Sequence, residues 1–554
     1  MTLLAAAMRV VGLDQQLWYD EMVLAVRWMP LGLAEIATTY TSQNQHMLYS
    51  LLARIAVEFF GEHNWVLRLP AMLFGVASVP ALYFCARVMQ GRLVRKIRDG
   101  GTAGNAPSLG TAQQAARGEN GGEPPHSRRE ALLAAGLLAV SYHHVWFSQN
   151  ARGYTGLALW TLVTTYFFVR GWREGGLRPW LWYGVTLALG MYTHLTMGFV
   201  AAGQFAVLLW MYVSGWRAWR ADPREAKWIM FSLTPVLGFV VAATLTLALY
   251  APVLPDVVAR TIGEQAGGAS TGAASGGAAT GAAGAATPVQ SEWTNPVWLL
   301  LETARGLAAG AGALGYVVLP VGAIILLTGL VSYWKQDRFV VGLMVIPGVI
   351  TAAVMLLLGH NLWPRFFLFA IGFGMMLLVR GAMVAAAFAL QKRHIRLQAG
   401  DTAQQAARGE NGGKPPHSIW GTVVVGVMIV ASAWSVRSAW LYPKQDFAGA
   451  LEFVESQRQA GEPVVLAGLA VFPLREYYQR DWPAVTTREE LESARAGAKR
   501  VWLLYASPIF VRSRQPPIWN AIQTEFEQVR VFRGTMGDGA VYVCRSVQGR
   551  EQRR

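Results

Sequence analysis

The chain is poor in cysteine and poor in charge. Two cysteines in 554 residues cannot build a disulfide framework, and Cys85 lies inside an apolar run while Cys544 lies in the polar tail, so they are not expected to pair and no redox role is indicated. Charged residues make up 15%, well below the roughly 25% of an ordinary soluble domain. Acids are the scarcer sign, with 33 Asp and Glu against 48 Lys and Arg, a net charge of +15. The basic residues fall in short clusters between apolar runs, not as a stripe on a soluble face, which argues against a nucleic-acid partner.

What the chain has in quantity is apolar length. Hydrophobic residues make up 53% and there are 22 Trp, and apolar runs of about 18 to 25 residues recur, each enough to cross a bilayer as a helix. Spans are expected at 66–89, 131–147, 156–169, 180–194, 197–212, 228–250, 316–333, 339–358, 366–390 and 419–436. The N-terminal MTLLAAAMRVVGL offers 13 residues before Asp14, short of the roughly 20 a span needs. A first span whose beginning lies upstream is the expectation there. The fold class is therefore mainly α, a polytopic helical membrane protein of about 11–13 transmembrane helices.

Charge sets the orientation. One set of connections carries Arg92, Arg95, Lys96 and Arg98, then Arg170, Arg173 and Arg178, then Arg217, Arg220, Arg224 and Lys227, then Lys335 and Arg338, then Lys392, Arg393 and Arg396. The alternate set is almost free of them, so the first set is expected in the cytoplasm and the second outside. The localisation that follows is a multi-pass membrane protein whose loop 14–65 and tail lie on the extracytoplasmic side. Arg152 in SQNARGY and Arg365 in PRFFLF break that bias on the outer side. An anion to be held would explain each, since a guanidinium can pair two oxygens at once; snorkelling to lipid phosphates is the plain alternative.

The outer loop 14–65 gathers the scarce acids. DQQLWYDEMVLAV presents Asp20 and Glu21 behind Trp18 and Tyr19, and a polar knot, Gln43, Asn44, Gln45 and His46, leads into Tyr49. Ionisable groups placed where a membrane protein meets its interface are functional candidates. Helix capping by an exposed acidic pair is the bland reading.

Two stretches read as insertions. TAQQAARGENGGEPPHS at 111–127 recurs at 402–418 with a single change, Glu123 against Lys414, too alike to be a structural repeat adapted to two settings. Both sit in cytoplasmic connections, and the segments around them, about 99–129 and 398–418, are expected to be disordered and without catalytic role. A Gly/Ala-rich stretch at about 263–290 reads as a flexible outer loop. The membrane domain is expected over 1–442. The tail 443–554 changes character: DFAGALEFVESQ reads as a helix, and VVLAG, VWLLYAS, VRVFRG and AVYVCRS read as strands of a small extracytoplasmic α/β domain. The tail holds no phosphate-binding glycine loop and no Cys/His metal spacing, which leaves recognition or support as its role.

The order WYDE, QHMLY, NWVLRLPAMLFG, SQNARGY, THLT and PRFFLF resembles the glycosyltransferase C superfamily, and within it the bacterial relatives of protein O-mannosyltransferases and lipid A aminoarabinose transferases. The resemblance covers roughly residues 14–380 without the inserts. It implies transfer of a sugar from a polyprenyl-phosphate carrier, on the outer face, to a protein or lipid/glycan acceptor. It also implies Asp20 as catalytic base with Glu21 in support, and an inverting displacement. Arg152 and Arg365 would hold the donor phosphate. A phosphate leaving group is stable as an anion and needs no general acid, so one base and a cationic cradle suffice. His46, Tyr49, Gln149, Tyr154 and His194 are expected to line the substrate pocket. Some members bind a divalent metal ion, but Met47 stands where relatives carry proline after the histidine, and no ligand set is assigned. The rival class is a lipid or solute transporter or flippase, which would place ionisable residues near the bilayer midplane.

Overall fold

The computed structural model describes residues 1–42, 45–91, 125–221, 232–259, 315–358, 362–398, 417–536 and 539–547, together with 295, 297–298, 301 and 304. Both repeats lie outside them except at their ends, as do the Gly/Ala-rich stretch, Gln43, Asn44 and most of 296–314.

Helices dominate. A short α1 (Thr2–Val10) leads to α2 (Tyr19–Arg27), α3 (Leu33–Thr38) and α4 (Met47–Phe60), which make up the loop with the acids. The bundle then runs α5 (Asn64–Gln90), α6 (Pro125–Ala139), α7 (Tyr142–Ser148), α8 (Tyr154–Glu174), α9 (Leu177–Thr193), α10 (Met197–Ala221) and α11 (Thr234–Tyr250). It continues through α12 (Gly315–Gln336), α13 (Arg338–Leu357), a 3₁₀ turn at Pro364–Ala370, α14 (Ile371–Gln398) and α15 (His417–Ser435). The helix at Pro125 starts inside the stretch expected to be disordered through 129; a proline in the first turn has no N–H to lose and its φ suits a helix start.

Seven of the described helices are long and apolar enough to cross a membrane, and eight if the bent pair α6 and α7 is one span. Helices α8 and α9 stand at the expected span positions, but Thr161, Thr164 and Thr165 line the buried side of α8 and dilute its apolar run. The backbones of α12 and α14 approach closely. A Cβ on Gly329 would lie 2.1 Å from the Leu377 carbonyl oxygen, and one on Gly381 1.8 Å from that of Ile325. Only glycine lets the two backbones touch there, the small-residue logic of helix packing in lipid.

Two features carry the site. The chain bends by 56° between α6 and α7, which brings the turn 149–153 beneath the acidic loop. The tail then seats on that loop. After α16 (Arg437–Leu441), it forms α17 (Phe447–Gln457), β1 (Val464–Gly468), α18 (Arg488–Arg495), β2 (Trp502–Ala506), α19 (Pro508–Arg514), α20 (Pro516–Glu525), β3 (Phe526–Phe532) and β4 (Val541–Ser546). The sheet order is β1-β2-β4-β3; β1 pairs β2 in parallel and the other pairs are antiparallel. One hydrophobic cluster joins Leu17, Trp18, Met22 and Trp28 of the loop to Phe447, Leu451, Leu466 and Trp502 of the tail. Loop and tail thus share a core.

Candidate active site

Asp20 sits in the first turn of α2 and is buried. Its Oδ2 lies 3.8 Å from Arg152 Nη2 and 3.6 Å from Arg365 Nη1, and accepts no hydrogen bond among the described residues. One carboxylate therefore faces two guanidiniums. Burial opposes the charge on Arg152, but Asp20, then Tyr154, more than offset it and hold its pKa above the ordinary value. The Arg152 guanidinium lies 5.8 Å from the Tyr154 ring centroid, and that of Arg365 5.2 Å from Trp363 and 5.8 Å from Phe366, in cation–π contact.

Two histidines complete the cluster. The His46 and His194 rings are 4.4 Å apart by centroid, and Tyr154 packs 5.5 Å and 5.0 Å from them. Burial first, then the neighbouring arginines, push both imidazoles down, His194 to about 3. Both are neutral at physiological pH, and their tautomers follow from their partners. The Gly153 N–H donates to His46 Nδ1 at 2.7 Å, and the Thr196 N–H donates to His194 Nδ1 at 3.3 Å. Each proton is then assigned to Nε2. His46 Nε2 stands 3.4 Å from Arg152 Nη2, donor against donor. His194 Nε2 has no hydrogen-bond partner among the described residues. Imidazole N–H groups and guanidiniums converge on one place, and the buried cations outnumber the buried acid there. An anion is the chemical partner such an excess would suit.

Among the described residues no three His, Cys, Asp or Glu stand close enough to share a metal ion, and the Gly153 N–H takes the His46 Nδ1 lone pair.

Two expected pocket residues, Tyr49 and Gln149, stand elsewhere, as does Glu21. Glu21 is fully buried and turned away from Asp20's partners. Arg68 donates to it twice, Nε to Oε1 at 2.7 Å and Nη2 to Oε2 at 2.6 Å, and the N–H groups of Ala151 and Trp18 donate at 2.7 and 3.3 Å. Burial alone would raise its pKa, but Arg68, then Lys444, outweigh it and hold the carboxylate below the ordinary value. With these four hydrogen bonds accepted, Glu21 ties Arg68 to the turn at Ala151 and to the start of α2. Tyr49 donates to the Leu67 carbonyl at 2.6 Å. Gln149 donates to the Arg9 and Val11 carbonyls at 3.1 and 2.5 Å. Both are structural ties within the loop and its floor. Asp20, Arg152, Arg365, His46, Tyr154 and His194 come together; Glu21, Tyr49 and Gln149 brace them.

Arg68 is the residue that sequence reasoning missed. Besides Glu21 it donates to the carbonyls of Leu13, Gln15 and Gln16 at 2.8, 2.7 and 3.0 Å, so one guanidinium folds the loop's entry. The signal was available: Arg68 breaks the charge bias at the outer end of its span as Arg152 and Arg365 do. The WYDE and SQNARGY segments are also tied by Trp18 Nε1–H donating to Asn150 Oδ1 at 3.1 Å.

A family model described as dolichyl-phosphate-mannose-protein mannosyltransferase matches residues 125–254, the segment with Arg152, Tyr154 and His194. No curated protein matches the sequence. Among solved structures, ArnT from Cupriavidus metallidurans bound to undecaprenyl phosphate is similar at 12% identity and a TM-score of 0.46, over 100% of this chain and 98% of its own. Its apo crystal structure gives 12% and 0.46 over 98% and 97%. Arabinosyltransferase EmbB from Mycobacterium smegmatis is similar at 12% and 0.39, over 86% of this chain and 42% of that one. The chain is thus similar over 125–254 to the dolichyl-phosphate-mannose-protein mannosyltransferase family, as the motifs suggested, and that segment carries three of the six residues gathered at Asp20.

Proposed function

We propose that the protein transfers a sugar from a polyprenyl-phosphate-linked donor to a protein or lipid/glycan acceptor, at the extracytoplasmic face of a bacterial inner membrane, by an inverting displacement with Asp20 as base. The observation that carries this is the pairing of one buried carboxylate with two guanidiniums and two neutral imidazoles. A phosphate seated among Arg152, Arg365 and the two Nε2–H groups meets cations and donors at once, where its departing charge needs them. The acceptor oxygen forms its bond to the anomeric carbon as the bond from that carbon to the phosphate oxygen breaks. The bonding pair leaves on the phosphate, and the acceptor's proton goes to Asp20 Oδ2, whose hydrogen-bonding capacity is unspent.

The transport alternative has one observation in its favour, a buried polar cluster within the bundle. Arg380 Nη1 donates to Glu130 Oε1 and Oε2 at 2.7 and 2.9 Å, and Gln90 donates to Tyr333 at 2.8 Å. It lies 22 residues along α5 from Arg68, about 33 Å at helical rise. Its ion pair runs from one terminal guanidinium nitrogen to both carboxylate oxygens and the other terminal nitrogen donates to Gln336, closed as a structural brace would be, which favours the enzyme.

The test is to purify the protein and identify by mass spectrometry which polyprenyl-linked lipids co-purify, then to measure transfer from that lipid by wild type, Asp20→Asn and Arg152→Ala. Asp20→Asn should bind donor and lose transfer by at least a thousandfold, while Arg152→Ala should mainly weaken donor binding. Retention of a diphosphate-linked oligosaccharide alone, or full transfer by Asp20→Asn, would overturn the proposal.

A further inference from the structure

The tail's first residues reach both halves of the site. Lys444 and Gln445 are buried at 3% and 4% exposure, although they stand at the junction where the membrane bundle gives way to the C-terminal α/β unit. The Lys444 ammonium donates to the Gln149 carbonyl, in the turn that carries Arg152, and lies 5.5 Å from the Trp146 ring centroid. The side-chain Oε1 of Gln445 accepts the Tyr19 N–H at 3.0 Å, at the first turn of the helix that carries Asp20. Asp446 accepts from Gln16 at 2.8 Å and caps α17 through the Gly449 N–H at 3.0 Å.

The strap is itself gripped from the far side. The Thr535 N–H donates to the Pro443 carbonyl at 2.9 Å and the Met536 N–H to that of Lys444 at 3.2 Å. Trp146 Nε1–H donates to Thr535 Oγ1 at 2.8 Å. Gly534 passes so close that a Cβ there would fall 1.9 Å from the Lys444 carbonyl oxygen. A buried lysine is costly: burial first, then Arg68, push Lys444 down to about 7, with Glu21, bonded to the Ala151 N–H beside Arg152, only partly offsetting them. Two consecutive side chains thus hold the base-bearing helix and the arginine-bearing turn at once.

We propose that Lys444 and Gln445 are positioning residues, through which the C-terminal unit fixes the separation between Asp20 and Arg152. The proposal rests on the transferase reading above. Full-length protein in nanodiscs, with undecaprenyl phosphate as the binding probe, tests it. Lys444→Met should weaken probe binding about tenfold at an unchanged melting temperature, and Lys444→Arg should restore most of it. In an Arg152→Ala background, Lys444→Met should add nothing further, because the turn it positions no longer carries the cation. A structural role alone would add its loss in full, and either that additivity or wild-type binding by Lys444→Met overturns the proposal. If Lys444→Met fails to fold, Gln445→Met decides: probe affinity within twofold of wild type with transfer turnover about tenfold lower supports positioning of Asp20, and unchanged turnover refutes it. Failure of wild type itself to bind the probe would strike the transferase reading, not the strap.

Discussion

Glu21→Gln separates a brace from a catalyst. Glu21 and Arg68 have fully buried side chains, with a separation of 2.6 Å. The substitution removes the charge and turns an amide NH₂ toward one of the guanidinium's donors, leaving Arg68 a single neutral amide oxygen besides the carbonyls of Leu13, Gln15 and Gln16. Breaking one side of a buried pair costs about 3–5 kcal/mol because the other charge stays buried. That is a shift of roughly two to three and a half powers of ten in a folded-to-unfolded ratio. Replacing both members removes the stranded charge, so Glu21→Leu with Arg68→Leu should recover most of the loss. Thermal unfolding of the purified protein in detergent, followed by tryptophan fluorescence, reads both values, with transfer measured well below each midpoint. Wild-type stability in Glu21→Gln together with lost transfer would refute the reasoning and return Glu21 to the chemistry.

Two other perturbations follow from the same geometry. A Cβ at Gly153 would stand 2.7 Å from the Thr193 carbonyl oxygen and 2.8 Å from His46 Nδ1, so Gly153→Ala should displace His46 and weaken undecaprenyl phosphate binding tenfold or more; Gly322→Ala, where a Cβ meets nothing within 4 Å, should leave it unchanged in the same titration. His46 and His194 have folded pKa values below the unfolded 6.5, so below that pH the unfolded chain binds protons that the folded one refuses. Stability from these two groups is complete above about 6.5 and falls with pH, toward about 3 for His194, about 2 kcal/mol from His194 by pH 5. Melting temperature should drop between pH 7 and 5, and His194→Asn should drop less; equal slopes would show that His194 titrates freely.

The cluster's cations were legible because charge is scarce in a membrane chain. Arg152 and Arg365 were conspicuous on the side of the bundle that lacks basic residues, and Asp20 was conspicuous as an acid at the interface. The four strands were legible from apolar runs bounded by turn residues, and VVLAG and VWLLYAS sit where the structure has β1 and β2. Their order was not, because β4 enters between β2 and β3, a choice made by side chains far apart in sequence. The fate of Glu21 was hidden for a similar reason. Adjacent residues on a helix point about 100° apart, and which one faces the cavity depends on Arg68, a turn and a half into another helix. Lys444 was hidden further still, since its burial depends on a carbonyl 295 residues away.

Those separations also set an order of assembly. Arg68 reaches Glu21 across 47 residues, whereas Tyr19 waits for Gln445 across 426 and Gln15 for the Trp440 carbonyl across 425. During synthesis the acidic loop can close on Arg68 as soon as the second segment of the bundle is in place. It then lacks the contacts of Lys444 and Gln445 until the tail has been made and has seated on it. A ribosome stalled anywhere before residue 443 leaves a chain whose acid and arginine turn are tied only by Glu21 to Ala151 and Trp18 to Asn150, with nothing gripping them from the tail's side.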